Sequence, residues 1–308
     1  MQSNTTVLTL LFLTVLASGC IHSNEGTVTE GPESVDIQSI QVTPSEIYEG
    51  QNVRSSLTAY NAGNIEADVI LGKNGEKMLT DYCPDIFENK EERFSAATSR
   101  VAETRKGEEA SYNLKPGDKI SVRWFLQQQG NVPLIGKRCQ MSFSVPFNYS
   151  VEAYRQVQIK QDRSVEGSPN LQSESSSGPL TLTMETLPGS TGRPDTYIAE
   201  ETGDERIQLL VQLINEKPQE EYRKGVVEID RESFSIRATD PLDVDRSDCE
   251  FPDADFRMYQ GKSVVIQCDI QVPQNFEEPS VLSDITAGID YKYIKDGGTR
   301  TVEVKTRG

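Results

Sequence analysis

Apolar and polar residues alternate with period two along most of this chain. In "NVRSSLTAYNAG", starting at Asn52, Val53, Leu57 and Ala59 share one face, and Asn61-Ala62-Gly63 then turns the chain. In "LKPGDKISVRWFLQ" a Pro-Gly turn precedes Ile120, Val122, Trp124 and Leu126 on one face, and "CQMSFSVPFNYSV" aligns Met141, Phe143, Val145, Phe147 and Tyr149. Further on, Ile207, Leu209, Val211 and Leu213 alternate, as do Val264, Ile266, Cys268, Ile270 and Val272. Successive side chains of a strand point to opposite faces, so the pattern predicts strands buried on one side. One stretch, "EERFSAATSRVAETRKGEE" from Glu91, spaces Phe94, Ala97 and Val101 at helical intervals and predicts a short helical insertion.

The second half of the chain resembles the first. "NLKPGDKISVRW" and "RMYQGKSVVIQC" each place a Gly-containing turn before an alternating strand. "VPFNYSVEAYRQVQI" and "TAGIDYKYIKDGGTRTVEV" each read as two alternating strands that close a domain as a hairpin, with Gly297-Gly298 as the second turn. Between the halves, "RSVEGSPNLQSESSSGP" has no apolar period and reads as a linker over 163–179. The expected fold is all-β, with two tandem β-sandwiches at 35–162 and 180–308, which the resemblance described below makes immunoglobulin-like.

The N-terminus narrows where such a chain resides. Residues 7–17, "VLTLLFLTVLA", carry no charge and fit a signal-peptide apolar region, well short of the roughly 20 residues that span a bilayer. Ala17-Ser18-Gly19-Cys20 follows and resembles a lipobox, the site where lipoproteins are cleaved and lipidated. That resemblance implies a signal peptide at 1–19 and a lipid on the Cys20 sulfur, anchoring the chain to the outer face of a cell membrane. Two features depart from the usual pattern: "MQSNTT" has no Lys or Arg, and Leu16 lies one position early. Residues 20–34 are polar and read as a flexible tether. Setting Cys20 aside leaves Cys83, Cys139, Cys249 and Cys268, an even number that points to disulfides in an exported chain. Four cysteines allow three pairings, and the two-domain split favours Cys83–Cys139 with Cys249–Cys268. Each is worth roughly 3–4 kcal/mol by the chain-entropy argument.

The stretch "SIQVTPSEIYEGQNVRSSLTAYNAGN" resembles the opening of the cell-adhesion-related domains of bacteria, immunoglobulin-like modules common in archaeal surface proteins. The shared pattern is an alternating strand, Pro, a Gly-containing turn, a second strand and Asn-x-Gly. Val35 and Ile37 lie on one parity while Ile40 and Val42 lie on the other, as a bulged first strand requires. In the second half Asn215 keeps its place, but no Gly follows two residues later. The chain does not resemble an antibody domain: Trp124 falls close before Cys139 where that pattern has its long gap, and Lys137 stands where a tyrosine corner needs Tyr.

Chemistry adds little to this picture. His22 is the one histidine and sits in the polar tail, so nucleophilic triads and Cys-His chemistry lack their imidazole. "DPLDVDRSDCEFPDADF" makes Asp240, Asp243, Asp245 and Asp248 candidate calcium ligands, since calcium takes six to eight oxygens. The EF-hand pattern fails there, because counting from Asp243 puts Asp248 where Gly is needed and Ala254 where Glu is needed. No other cofactor is expected. Asn148-Tyr149-Ser150 is a glycosylation sequon whose Asn faces away from the apolar set. The formal net charge of −17 disfavours nucleic acid and anionic membrane surfaces as partners. With 48 acidic residues, a carboxylate-dependent extracellular hydrolase is conceivable, but sequence selects no pair. A transporter accessory lipoprotein would call for hinged α/β lobes that the strand pattern does not suggest. The favoured reading is a non-catalytic, lipid-anchored surface protein that binds or scaffolds envelope or appendage proteins, or glycans.

Overall fold

The computed structural model describes residues 27–29, 35–63, 66–72, 77–96, 111–167, 169–176, 178–199, 205–215, 225–253, 256–259, 261–274 and 276–306. In chain order the first-half strands are β1 (Thr27–Thr29), β2 (Val35–Thr43), β3 (Glu46–Tyr48), β4 (Asn52–Asn61), β5 (Ala67–Ile70), β6 (Leu79–Asp81), β7 (Phe87–Ala96), β8 (Ser111–Leu114), β9 (Lys119–Gln128) and β10 (Lys137–Lys160). The second half supplies β11 (Ser173–Ser176), β12 (Leu180–Thr186), β13 (Thr196–Ile198), β14 (Arg206–Asn215), β15 (Gly225–Ile229), β16 (Ser235–Ala238), β17 (Cys249–Glu250), β18 (Arg257–Tyr259), β19 (Ser263–Gln271) and β20 (Ser280–Lys305). The protein is all-β and built of sandwiches, as the alternation predicts.

Two four-stranded antiparallel sheets, β2–β4–β9–β7 and β12–β14–β19–β17, form the outer layers. The layer facing both is a single sheet organised on β10 and β20, strands of 24 and 26 residues that pair antiparallel from Lys137↔Val304 to Lys160↔Ser280. At about 3.3 Å per residue this ribbon is nearly 80 Å long, several times an ordinary strand. Its Lys137 end backs the first outer sheet, where Trp124 packs on Phe143 with ring centroids 6.0 Å apart. Its Lys160 end backs the second, where the Arg155 guanidinium donates to the Met184 carbonyl of β12 at 2.7 Å.

The neighbours of the ribbon are arranged with a pseudo-two-fold. β3 runs parallel beside β20 and β13 parallel beside β10; β5 and β6 flank β10 as β15 and β16 flank β20. The repeat extends to side chains. Asn61 is buried at the end of β4, where its Nδ2 donates to the Leu114 carbonyl at 2.7 Å and its own carbonyl accepts from Gly117 N at 2.8 Å. Asn215 does the same at the end of β14, with Met258 at 2.9 Å and Gly261 at 2.7 Å. A buried amide must be hydrogen-bonded, so each Asn fixes how its strand meets the next turn.

Several expectations are corrected here. The stretches read as closing hairpins are single strands, because residues 147–153 contain no turn-forming pair and alternation continues unbroken. Gly297-Gly298 is a bulge within β20, opposite Phe143/Ser144, where Gly298 adopts the left-handed φ of +73° that such a bulge requires. Consequently β10 and β20 each contribute to both sandwiches, and the boundary expected at 163–179 lies beside a ribbon common to the two halves. Within 163–179, β11 pairs with β10; within the expected tether, β1 pairs parallel with β11. The predicted helical insertion is strand where described: β7 pairs Phe94 with Val122, while Ala97 and Val101 lie outside the described residues. The bulge expected in the first strand is present, between Ile37 and Ser39 of β2.

Candidate functional site

The β9–β10 connection carries an unusual surface. Pro133, Leu134, Ile135 and Gly136 form a tight turn, closed by Gly136 N donating to the Pro133 carbonyl at 2.7 Å. Gly136 takes a φ of +78°, and a Cβ there would lie 2.9 Å from the Val304 carbonyl, so both conformation and space call for glycine. Leu134 and Ile135 occupy the central positions of this turn, and their side chains are 93% and 98% exposed. Among the described residues they are the most exposed large apolar side chains.

A platform holds the turn in place. The Ile86 carbonyl accepts from Gln129 N at 2.9 Å and Gly130 N at 3.2 Å, while Thr306 Oγ1 donates to the Leu134 carbonyl at 3.2 Å. A Cβ on Gly130 would fall 1.8 Å from the Asp85 carbonyl oxygen, so the backbones touch. Lys137 forms an ion pair with Asp85 across the base. That hydrogen bond holds the Asp85 carboxyl below its usual range and Lys137 above its own. Cys83 begins the platform in the left-handed region, φ 52°, which costs a non-glycine residue about 1–2 kcal/mol. It is held there by Ile86 N and Phe87 N, which both donate to its carbonyl at 2.9 Å.

The sequence-predicted residues are dispersed. Cys20 and His22 lie outside the described residues. Cys249 and Cys268 form a disulfide between β17 and β19, as expected. Cys83 and Cys139 are free thiols, half-buried and buried, rather than the expected bonded pair. Burial pushes the Cys139 thiol well up, and the Cys83 contact adds to the shift. The four candidate calcium ligands do not converge: among the described residues no group of three or more Asp, Glu, Cys or His could hold a metal. Asp245 instead caps the short 3₁₀ turn at Arg246–Asp248, with its side chain accepting from Ser247 N while Asp248 accepts from Asp245 N at 2.9 Å. Asn148 is exposed on β10, and Ser150 of the same sequon donates to Asp290 at 2.6 Å.

Sequence reading passed over Leu134 and Ile135. The available signal was "NVPLIG", in which two large apolar residues take the centre of a Pro/Gly-bracketed turn where polar residues are the rule.

No protein-family model and no curated protein matches the chain. Solved structures with some similarity include the C-terminal domain of the Streptococcus pyogenes antigen I/II-family protein AspA, at 8% identity over 86% of this chain and 94% of that one, with a TM-score of 0.20. Collagen adhesin from S. aureus is 10% identical over 88% and 92%, with a TM-score of 0.15. The secreted serine protease VesC from Vibrio cholerae is 7% identical over 85% of this chain and 50% of that one, with a TM-score of 0.17. Scores of this size do not establish a shared fold, and the functional reading rests on the geometry above.

Proposed function

We propose that the chain is a non-catalytic, lipid-anchored protein of the outer cell surface, whose interlocked sandwiches hold the Leu134–Ile135 turn out to a partner. The observation that carries this reading is the pair of solvated apolar side chains on a braced turn, in a chain otherwise charged to −17. The position of β1 supports it. β1 lies level with Tyr154 through β11, and its N-terminal end points toward the Lys160 end of the ribbon. The seventeen residue steps from Tyr154 back to Lys137 span about 55 Å, so a chain anchored through Cys20 would present the turn at the far end.

The magnitude says what kind of contact to expect. Covering two large aliphatic side chains gains roughly 3–6 kcal/mol before association costs, which by itself corresponds to weak, reversible binding. Display of many copies on one surface would raise the overall avidity. The partner class is an envelope or appendage protein with an apolar recess, since a glycan presents mainly hydroxyls to such a turn.

The test has two arms. Native protein should fractionate with membranes and carry lipid mass on Cys20, and a Cys20→Ser variant should lose both. A photo-crosslinking residue at position 135 should give discrete adducts on intact cells, while the same residue at exposed position 265 should not. A soluble, unmodified native chain removes the anchor, and equal labelling from both positions removes the turn as a binding element.

A further inference from the structure

We propose that Cys83 and Cys139 are an oxidation site, closing a second disulfide that fastens the platform of the apolar turn to the ribbon. β6 runs antiparallel on β10 with Asp81 opposite Ser142, so the chain leaving β6 brings Cys83 alongside Cys139 and Gln140. Cys83 also packs against the buried core that contains Cys139. Cys139 is fully buried in the core, while Cys83 is half-buried and lines an open depression with Asp81, Arg138, Gln140, Thr301 and Glu303. One sulfur can therefore be reached from solvent and the other can be reached from that sulfur. The Cys249–Cys268 bond shows the chain to be compatible with oxidised cysteines elsewhere.

The chemistry balances as thiol–disulfide exchange. The Cys83 thiolate attacks an external disulfide, such as that of an oxidising catalyst in the export compartment, and forms a mixed disulfide. The Cys139 sulfur then displaces the external sulfur, passing its proton to the leaving thiolate as it attacks. The Cys83–Cys139 S–S bond replaces the external S–S bond, and both cysteine protons and two electrons leave on the external dithiol.

The consequence for the turn follows from the platform. The Cys83 carbonyl holds Ile86 N and Phe87 N, and the Ile86 carbonyl in turn holds Gln129 N and Gly130 N. Fixing Cys83 to β10 therefore fixes the base on which Leu134 and Ile135 stand. The bond itself is independent of the binding reading, because it rests on the thiols and not on what the turn contacts.

The experiment uses the full chain, exported and isolated with an alkylating agent and no reductant. The expected result is a Cys83–Cys139 linked peptide, lighter by two hydrogens than the two thiol peptides. Mild reductant should open this bond to labelling before Cys249–Cys268, whose sulfurs are buried. Alkylated Cys83 and Cys139 in unreduced protein, or either cysteine linked elsewhere, overturns the proposal. In Cys83→Ser and Cys139→Ser variants, the Gln129 and Gly130 amides should exchange hydrogen about tenfold faster, with Gly117 and Gly261 unchanged. Unchanged exchange at Gln129 and Gly130 in a protein whose linked peptide is present overturns the fastening role.

Discussion

Replacing Leu209 by Ala removes a fully buried side chain from β14, in the outer sheet of the second sandwich. Such truncations cost about 3 kcal/mol through lost transfer energy and the cavity left behind. Trp124 is the one tryptophan, and it is buried in the first sandwich against Phe143 of β10. Its fluorescence therefore reports the half of the molecule that the substitution does not touch. If the ribbon makes the halves one cooperative unit, loss of the second sandwich strips pairing partners from the same two strands that back the first. Trp124 must then report the full destabilisation. With a urea slope of about 3 kcal/mol per molar, suited to a chain of this size, its midpoint falls by about 1 M and coincides with the far-UV circular dichroism transition. A Trp124 midpoint equal to wild type, with an earlier separate step in circular dichroism, would refute the coupling and restore two independent modules.

Three further outcomes are expected. Arg155 chelates Asp195 through Nε at 2.6 Å and Nη2 at 2.7 Å, so Arg155→Ala strands a largely buried carboxylate and costs about 3 kcal/mol in denaturant unfolding. Arg155→Lys should restore less than half, since an ammonium cannot make the paired contact; full recovery would contradict this. Burial holds the Tyr149 and Tyr197 hydroxyls up to about 12, above the ordinary 10.0, so the folded state keeps these protons longer than the unfolded chain. Stability from them is complete below about pH 10 and is lost as pH rises toward 12, and denaturant midpoints that stay flat across that window would dismiss the effect. Asn148→Gln should remove a glycan mass from protein exported by a glycosylating host, with folding unchanged; identical masses would show the sequon to be unused.

Much of the fold was legible because its determinants are local. The parity switch between Ile37 and Ile40 marked the β2 bulge, and the alternation through Trp124 placed it in the core. The matched turns before Ile120 and Val264 revealed the repeat, and Asn61 and Asn215 perform the same buried bonding in each copy. The ribbon was not legible, because alternation says which face of a strand is buried but not which sheet it joins. Its signal was negative, the lack of turn residues between Phe147 and Ala153. Gly297-Gly298 misled for a related reason: a left-handed glycine suits a bulge as well as a turn, and pairing with Phe143 and Ser144, far away in sequence, decides between them. The acidic run at Asp240–Asp248 has a composition that suits a cation, but Asp245 and Asp248 are used on backbone amides. Leu134 and Ile135 escaped notice because two residues carry no periodicity.

The shared strands also bear on mechanical load. With an anchor near the Lys160 end and a held turn at the Lys137 end, tension would run along β10 and β20. Hydrogen bonds of an antiparallel pair lie across the strands, so that pull loads them in shear, many together, and does not open them one at a time from a frayed end. A string of separate modules stretches at its linkers and unfolds piece by piece. Among the described residues the halves are joined by β10 and β20 themselves, so the molecule would transmit force as a stiff strut.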